Sequence, residues 1–105
     1  MADVFIALCT FPDSDSATSI VKELVDAGLV ACGNILPPVQ SIYRWQGKVE
    51  SSGEVLAIFK LAGQRYSEFE AKIRSMHPYE VPEIIAFPVS KGLPAYLEWV
   101  EQSCR

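Results

Sequence analysis

Residues 39–61, VQSIYRWQGKVESSGEVLAIFKL, decide how this chain folds. The stretch predicts a β-hairpin with its turn at residues 46–48, where Gly47 can take the positive φ of a tight turn. In the second arm, residues 55–59 (VLAIF) are apolar on both faces of the strand. Such a strand needs cover on both faces. We expect the chain's own helices to cover one face and further copies of the chain to cover the other.

Length and composition bound the class of protein. The 105 residues predict a single domain over residues 1–105, and a hydrophobic share of 50% predicts a packed core. A net charge of −4 with nine lysines and arginines disfavours a nucleic-acid partner, which binds mainly to basic surface. No apolar run is long enough to span a membrane, and the first residues lack a signal-peptide pattern. Three cysteines without CxxC spacing favour reduced thiols, so we expect a cytoplasmic protein without a membrane partner.

Hydrophobic periodicity predicts the order β-α-β-β-α-β followed by a short C-terminal helix. The first predicted segments are a strand at residues 4–9, a helix over 17–25 and a second strand from residue 29 that is broken by Pro37 and Pro38. The hairpin follows, with a bulge at Gly53, and then a helix over 66–76 and a strand over 81–89. The last segment is a helix from Pro94 whose Tyr96, Leu97 and Val100 face inward. This order predicts an α+β, ferredoxin-like sandwich with an antiparallel sheet of order 4-1-3-2. Its two central strands, 1 and 3, are the two with apolar residues on both faces.

The same topology brings soft metal ligands together. Cys9 ends strand 1, and the loop before strand 4 carries Met76 and His77. Thiol, thioether and imidazole donors suit Cu(I) and, less selectively, other late transition metals. Simple packing explains the same residues, because Cys9 closes an apolar strand, Met76 continues a helical stripe and His77 can cap a helix end. Cys104 is predicted to be a mobile thiol near the C-terminus.

Enzymatic functions are poorly supported. Acylphosphatases share this size and fold, but residues 10–16 (TFPDSDS) are acidic, lack arginine and would repel a phosphate. One histidine offers little for acid–base catalysis. An RNA-recognition module has the same element order, and Phe5 and Phe59 could imitate its stacking aromatics, but the surrounding chain is acidic. A non-enzymatic binding function is the better prediction.

Several motifs in combination resemble the CutA divalent-cation-tolerance family. They are LCT at residues 8–10, LVACGN at 29–34, SIYRWQGK at 41–48, HPYEVPE at 77–83 and YLEW at 96–99. The resemblance covers nearly the whole chain.

The resemblance implies a non-enzymatic homotrimer of ferredoxin-like subunits, similar to PII signalling proteins, that binds copper or other divalent cations. By position, the metal ligands would be Cys9 and His77. Met76 stands where some relatives have a second histidine, which shifts the preference toward Cu(I). Tyr43, Trp45, Tyr79 and Glu80 are expected at the trimer interface or a cleft. The alternative function is a PII-like signalling or scaffold trimer that binds a small metabolite or a partner protein between subunits.

Overall fold

The computed structural model describes residues 3–105. Its elements are β1 (Val4–Phe11), α1 (Ser14–Asp26), β2 (Cys32–Ile35), β3 (Val39–Trp45), β4 (Lys48–Ala62), α2 (Tyr66–Met76), β5 (Ile84–Pro88) and α3 (Pro94–Ser103). The strands form an antiparallel sheet of order β2-β4-β1-β5, and β3 pairs with the same β4. Because β2 and β3 pair with successive parts of β4, they act as one broken strand. The predicted strand 2 corresponds to β2 and β3 together, strand 3 to β4 and strand 4 to β5. The predicted ferredoxin-like sandwich with strand order 4-1-3-2 is therefore confirmed.

The break in that strand lies at the two prolines. Ile35 of β2 pairs with Ala57, and pairing resumes in β3 with Val39 opposite Glu54, so the β2–β3 side carries one extra residue. Proline has no amide hydrogen to donate to a ladder, which explains why pairing stops at residues 37–38. The prediction of a bulge at Gly53 is wrong, because Gly53 pairs with Gln40 and the pairing between β3 and β4 continues without interruption on both sides of it.

The β3–β4 hairpin forms a long arm. Its turn is the predicted one, with Gln46 at φ 50° and Gly47 at φ 82°, the conformation of a type I′ hairpin. β1 pairs only with the part of β4 from Val55 onward, so the earlier residues of β4 pair with β3 alone. The arm therefore extends past the part of the sheet that contains β1, in a molecule with extents of 45 × 26 × 24 Å.

One face of the sheet forms the core beneath α1 and α2. Asp13 caps α1 by accepting a 2.7 Å hydrogen bond from the amide of Ser16. The largest fully buried side chains on this side are Phe11, Leu24, Phe59, Leu61, Phe69 and Ile73. Gly33 lets β2 approach α1, since a Cβ there would lie 2.8 Å from Cγ1 of Val21.

The opposite face is only partly covered. We call it the open face. The strand pairing places six apolar side chains on this face, namely Ile6, Leu8, Leu56, Ile58, Ile85 and Phe87. Ile85 and Phe87 are 52% and 47% exposed, and the other four are half-buried. At the far end of this face α3 contacts β1 and β4, and the paired residues Val4 and Ala62 are buried there.

Three local predictions near the C-terminus are wrong. Tyr96 is exposed rather than inward-facing, although Leu97 is half-buried and Val100 is fully buried. Cys104 is buried rather than mobile, because its sulfur accepts a 3.3 Å hydrogen bond from the amide of Ala62. Ala62 lies beyond the end of the β2–β4 pairing, so β2 does not use its amide. The last strand begins at Ile84 rather than at residue 81, as Pro82 cannot donate to a ladder.

Candidate functional site

The end of β1 and the loop after α2 meet at one backbone carbonyl. The sulfur of Cys9 lies 3.6 Å from the carbonyl oxygen of Thr10, and Nε2 of His77 lies 2.7 Å from the same oxygen. The structure therefore brings the thiol and the imidazole together on a shared acceptor. Met76, the third predicted ligand, is half-buried and packs against the core. None of the hydrogen bonds described for residues 3–105 joins its sulfur to Cys9 or to His77.

Hydrogen bonds hold both ring nitrogens of His77. Its Nδ1 accepts a 3.1 Å hydrogen bond from the amide of Tyr79, so the ring proton resides on Nε2 and is donated to Thr10. The ring is 8% exposed and stacks on Phe11 with a centroid separation of 5.0 Å. Since both ring nitrogens are engaged, a metal ion at His77 requires one of these hydrogen bonds to open.

Cys9 is held as a thiol. Burial, followed by the nearby carboxylates of Glu83 and Glu54, raises its pKa from 9.0 to about 12. Over residues 3–105 no group of three or more His, Cys, Asp or Glu side chains is arranged to hold a metal ion. The donor types fit a soft ion that needs few ligands, such as Cu(I), better than a divalent ion that needs four or more oxygen or nitrogen ligands. Cys9 and His77 are therefore not preorganised to bind such a divalent ion.

A separate groove lies between the hairpin arm and the loop at residues 78–83. It has a volume of about 900 Å³ and includes Tyr43, Trp45, Tyr79 and Glu80 in its lining. The four residues predicted for an interface or cleft thus line one concave surface of a single chain. One aromatic member makes a polar contact here, since the Tyr43 hydroxyl lies 3.2 Å from the hydroxyl of Ser52.

Glu54 is the groove residue that sequence reasoning missed. It is only 8% exposed, and Oε2 accepts a 2.6 Å hydrogen bond from the hydroxyl of Tyr79. Burial, followed by this hydrogen bond, raises the pKa of Tyr79 above its ordinary value, so the phenol stays protonated and donates. The available signal was a carboxylate placed directly before the apolar run of residues 55–59.

Comparisons with known proteins agree with this fold. A family model described as CutA1 divalent ion tolerance protein matches residues 5–103. The chain is 39% identical to Divalent-cation tolerance protein CutA of Thermus thermophilus, across 93% of this chain and 95% of that protein. It is 42% identical to Protein CutA of Mus musculus, across 94% of this chain but only 56% of the mouse protein. The crystal structure of CutA from Xylella fastidiosa superposes with a TM-score of 0.95 at 38% identity, covering 99% of this chain and 100% of that one.

The fold defines an α+β domain of the ferredoxin-like class. The chain belongs to the CutA1 divalent ion tolerance protein family. The names of two relatives state a compartment for those proteins, periplasmic in Archaeoglobus fulgidus and chloroplastic in Arabidopsis thaliana. Between residues 3 and 105 no helix combines the length and apolar character needed to cross a membrane.

Proposed function

We propose that this protein is a cytoplasmic, non-enzymatic homotrimer that binds copper and takes part in the response to metal ions. Copper would be held by Cys9 and His77, with Met76 as a third donor. The observation that carries this proposal is the convergence of the thiol and the imidazole on the carbonyl oxygen of Thr10. Family membership supports the link to divalent cations.

Binding requires local rearrangement at these residues. The Cys9 thiol must lose its proton, which burial opposes, and the His77 ring must release either Thr10 or Tyr79. Metal binding should therefore release protons and strengthen as pH rises. No nucleic-acid partner is proposed, because the chain is acidic.

The trimer is supported by the open face. Its apolar side chains lie in register across three strands, and burying apolar surface stabilises by roughly 25 cal/mol per Å². Contiguous exposed apolar patches on soluble proteins commonly mark interaction sites. A second chain packed on this face would bury Ile85 and Phe87 together with their half-buried neighbours.

A copper titration of single variants tests the metal site. Cys9→Ser and His77→Ala should each weaken Cu(I) binding at least tenfold, about 1.4 kcal/mol, and Met76→Leu should weaken it less. Cys32→Ser is the matched control, because it removes a half-exposed thiol that lies 3.8 Å from the Tyr96 hydroxyl, away from Thr10. Unchanged affinity in both Cys9→Ser and His77→Ala would remove these residues from the site.

The second candidate is a PII-like signalling or scaffold trimer that binds a small metabolite or partner protein. The observation that favours it is the groove of about 900 Å³, whose lining includes aromatic and acidic residues. Binding of a metabolite that stabilises the protein in the absence of metal would support this function.

A further inference from the structure

Two of the three cysteines lie beside neighbouring positions on one edge of β4. Cys32 in β2 pairs with Lys60 of β4. The sulfur of Cys104 accepts a 3.3 Å hydrogen bond from the amide of Ala62, two positions further along the same strand. Backbone groups at alternate positions of a strand point to the same side, so Cys104 occupies the place where β2 would continue. Two strand residues span about 7 Å, so the two cysteines contact β4 at points only that far apart.

Both cysteines adjoin α3. The sulfur of Cys32 lies 3.8 Å from the hydroxyl of Tyr96, in the first turn of this helix. Cys104 follows Ser103, the last residue of the helix, and has a non-helical backbone with φ −97° and ψ 66°. A rearrangement of residue 104 therefore moves its sulfur without unwinding α3.

The two thiols also affect each other electrostatically. Burial is the main cause that raises the pKa of Cys104, and the Cys32 thiol adds to the rise. An effect of this kind decays with distance, so it agrees with the position of both thiols at the same end of β4. Cys32 is half-buried whereas Cys104 is 2% exposed, so Cys32 is the thiol that an oxidant from solution reaches first.

The third thiol is kept apart from this pair. Cys9 pairs with Ala57 of β4, which is five positions, or about 17 Å along a strand, from Ala62. Its side chain is fully buried, and a pKa of about 12 leaves it protonated at neutral pH. The thiolate is the form that reacts with oxidants, so Cys9 should stay reduced under conditions that oxidise Cys32.

We propose that Cys32 and Cys104 form a reversible disulfide within one chain, a redox-sensitive clamp that joins the edge strand β2 to the end of α3. A disulfide joins Cα atoms that are roughly 4.4–6.8 Å apart, and residue 104, outside the helix, supplies the movement that closes the bond. The clamp requires neither copper nor a metabolite, so it goes beyond both candidate functions. Because α3 contacts β1 and β4 at the end of the open face, the clamp fixes an element that borders the proposed subunit interface.

The oxidant that the clamp requires is hydrogen peroxide. The Cys32 thiolate attacks one peroxide oxygen, the O–O bond breaks, and Cys32 becomes a sulfenic acid while the leaving oxygen takes up a proton and departs as water. The sulfur of Cys104 then attacks the sulfur of Cys32, so that the S–S bond forms and the S–O bond breaks. The Cys104 proton leaves with the hydroxyl group as a second water. A dithiol reductant returns two electrons and two protons and restores both thiols.

Peroxide treatment of the reduced wild type, followed by alkylation in denaturant and mass spectrometry of a non-reduced tryptic digest, tests the proposal. Trypsin places the three cysteines in different peptides, residues 1–22, 23–44 and 92–105. We expect a cross-link between the second and third peptides within one chain, loss of two hydrogen atoms per chain, and alkylation of Cys9 alone. Dithiothreitol should reverse the cross-link.

Three variants and an unfolded control test the role of the fold. Cys9→Ser should form the same disulfide as the wild type, whereas Cys32→Ser and Cys104→Ser should form none. Oxidation in denaturant should bring Cys9 into disulfides as well, because unfolding removes both its burial and the pairing of the other two thiols.

Disulfides between chains, seen as covalent dimers on a denaturing gel without reductant, would overturn the proposal. Oxidation of Cys32 to a sulfinic acid while Cys104 stays a free thiol, or no oxidation of either, would overturn it as well. Thermal unfolding gives an independent readout. The oxidised wild type should unfold at a higher temperature than the reduced protein, because the cross-link closes a long loop in the unfolded chain. An unchanged or lower unfolding temperature would show that the bond forms at the expense of the fold and would contradict the clamp.

Discussion

The hydroxyl of Tyr79 donates a 2.6 Å hydrogen bond to Oε2 of Glu54 and so fixes the loop after α2 to the hairpin arm. Tyr79→Phe should destabilise the fold by about 1–3 kcal/mol, since it leaves a buried carboxylate without its donor. Tyr66→Phe is the control, because Tyr66 makes the same kind of bond to Glu70, which is exposed. We expect a change within about 0.5 kcal/mol there. Urea unfolding of the two variants makes the comparison, and equal losses would show that burial of Glu54 is unimportant.

The thiol of Cys9 should make stability depend on alkaline pH. Its folded pKa is raised from 9.0 to about 12, so between these values the unfolded chain binds fewer protons than the folded chain. The contribution is complete below pH 9 and declines as the pH rises toward 12. The pKa of Cys104 is also raised from 9.0 by burial, so only the difference between the wild type and a Cys9 variant isolates Cys9. The raised pKa values of Tyr66 and Tyr79 start higher, from 10.0.

The measurement is the free energy of unfolding at pH 8, 9 and 10 for the wild type and for Cys9→Ala. The variant should lose less stability across this range than the wild type does, because it lacks the titrating group. Parallel pH profiles for the two proteins would contradict the assignment of Cys9 as a buried thiol.

The hairpin turn provides a test of backbone conformation with a built-in control. A Cβ at either Gly47 or Gly53 would meet no atom within 4 Å, but Gly47 alone has a positive φ, of 82°. Gly47→Ala should therefore cost about 1–2 kcal/mol from strain. Gly53→Ala should be neutral or slightly stabilising, because alanine restricts the unfolded chain. Thermal unfolding distinguishes the two, and an equal cost at both positions would contradict the type I′ turn.

The open face should carry the contacts between subunits. Ile58→Glu, or Leu56→Glu, places a charge in the centre of this face and should produce monomers or aggregates. Thr18→Glu, at an exposed position on α1, adds the same charge away from the sheet. Sedimentation velocity of the three variants makes the comparison. A folded trimer that carries Ile58→Glu would show that the face is not an interface.

Sequence patterns predicted the features that depend on local chemistry. The turn at residues 46–47 follows from glycine's access to positive φ, and the central strands follow from apolar residues on both faces. The broken second strand follows from the two prolines.

Topology predicted that Cys9 and His77 lie close together, but two other contacts between distant residues were not predictable. Glu54 and Tyr79 are 25 residues apart in sequence, so no periodicity relates them. Cys104 is 42 residues from Ala62, whose amide donates a hydrogen bond to its sulfur. Its position next to the C-terminus gave no indication of burial. Gly53 resembled a bulge residue, but the extra residue of the ladder lies on the opposite strand, where proline interrupts pairing.

Native mass spectrometry of the reduced protein, with and without one equivalent of Cu(I) per chain, measures the number of subunits and the number of bound copper ions together. We predict a trimer that takes up one copper ion per chain and loses this uptake in Cys9→Ser and His77→Ala. A trimer that binds no copper would contradict the metal site and transfer the function to the groove. A monomer would contradict the assignment of the open face as a subunit interface.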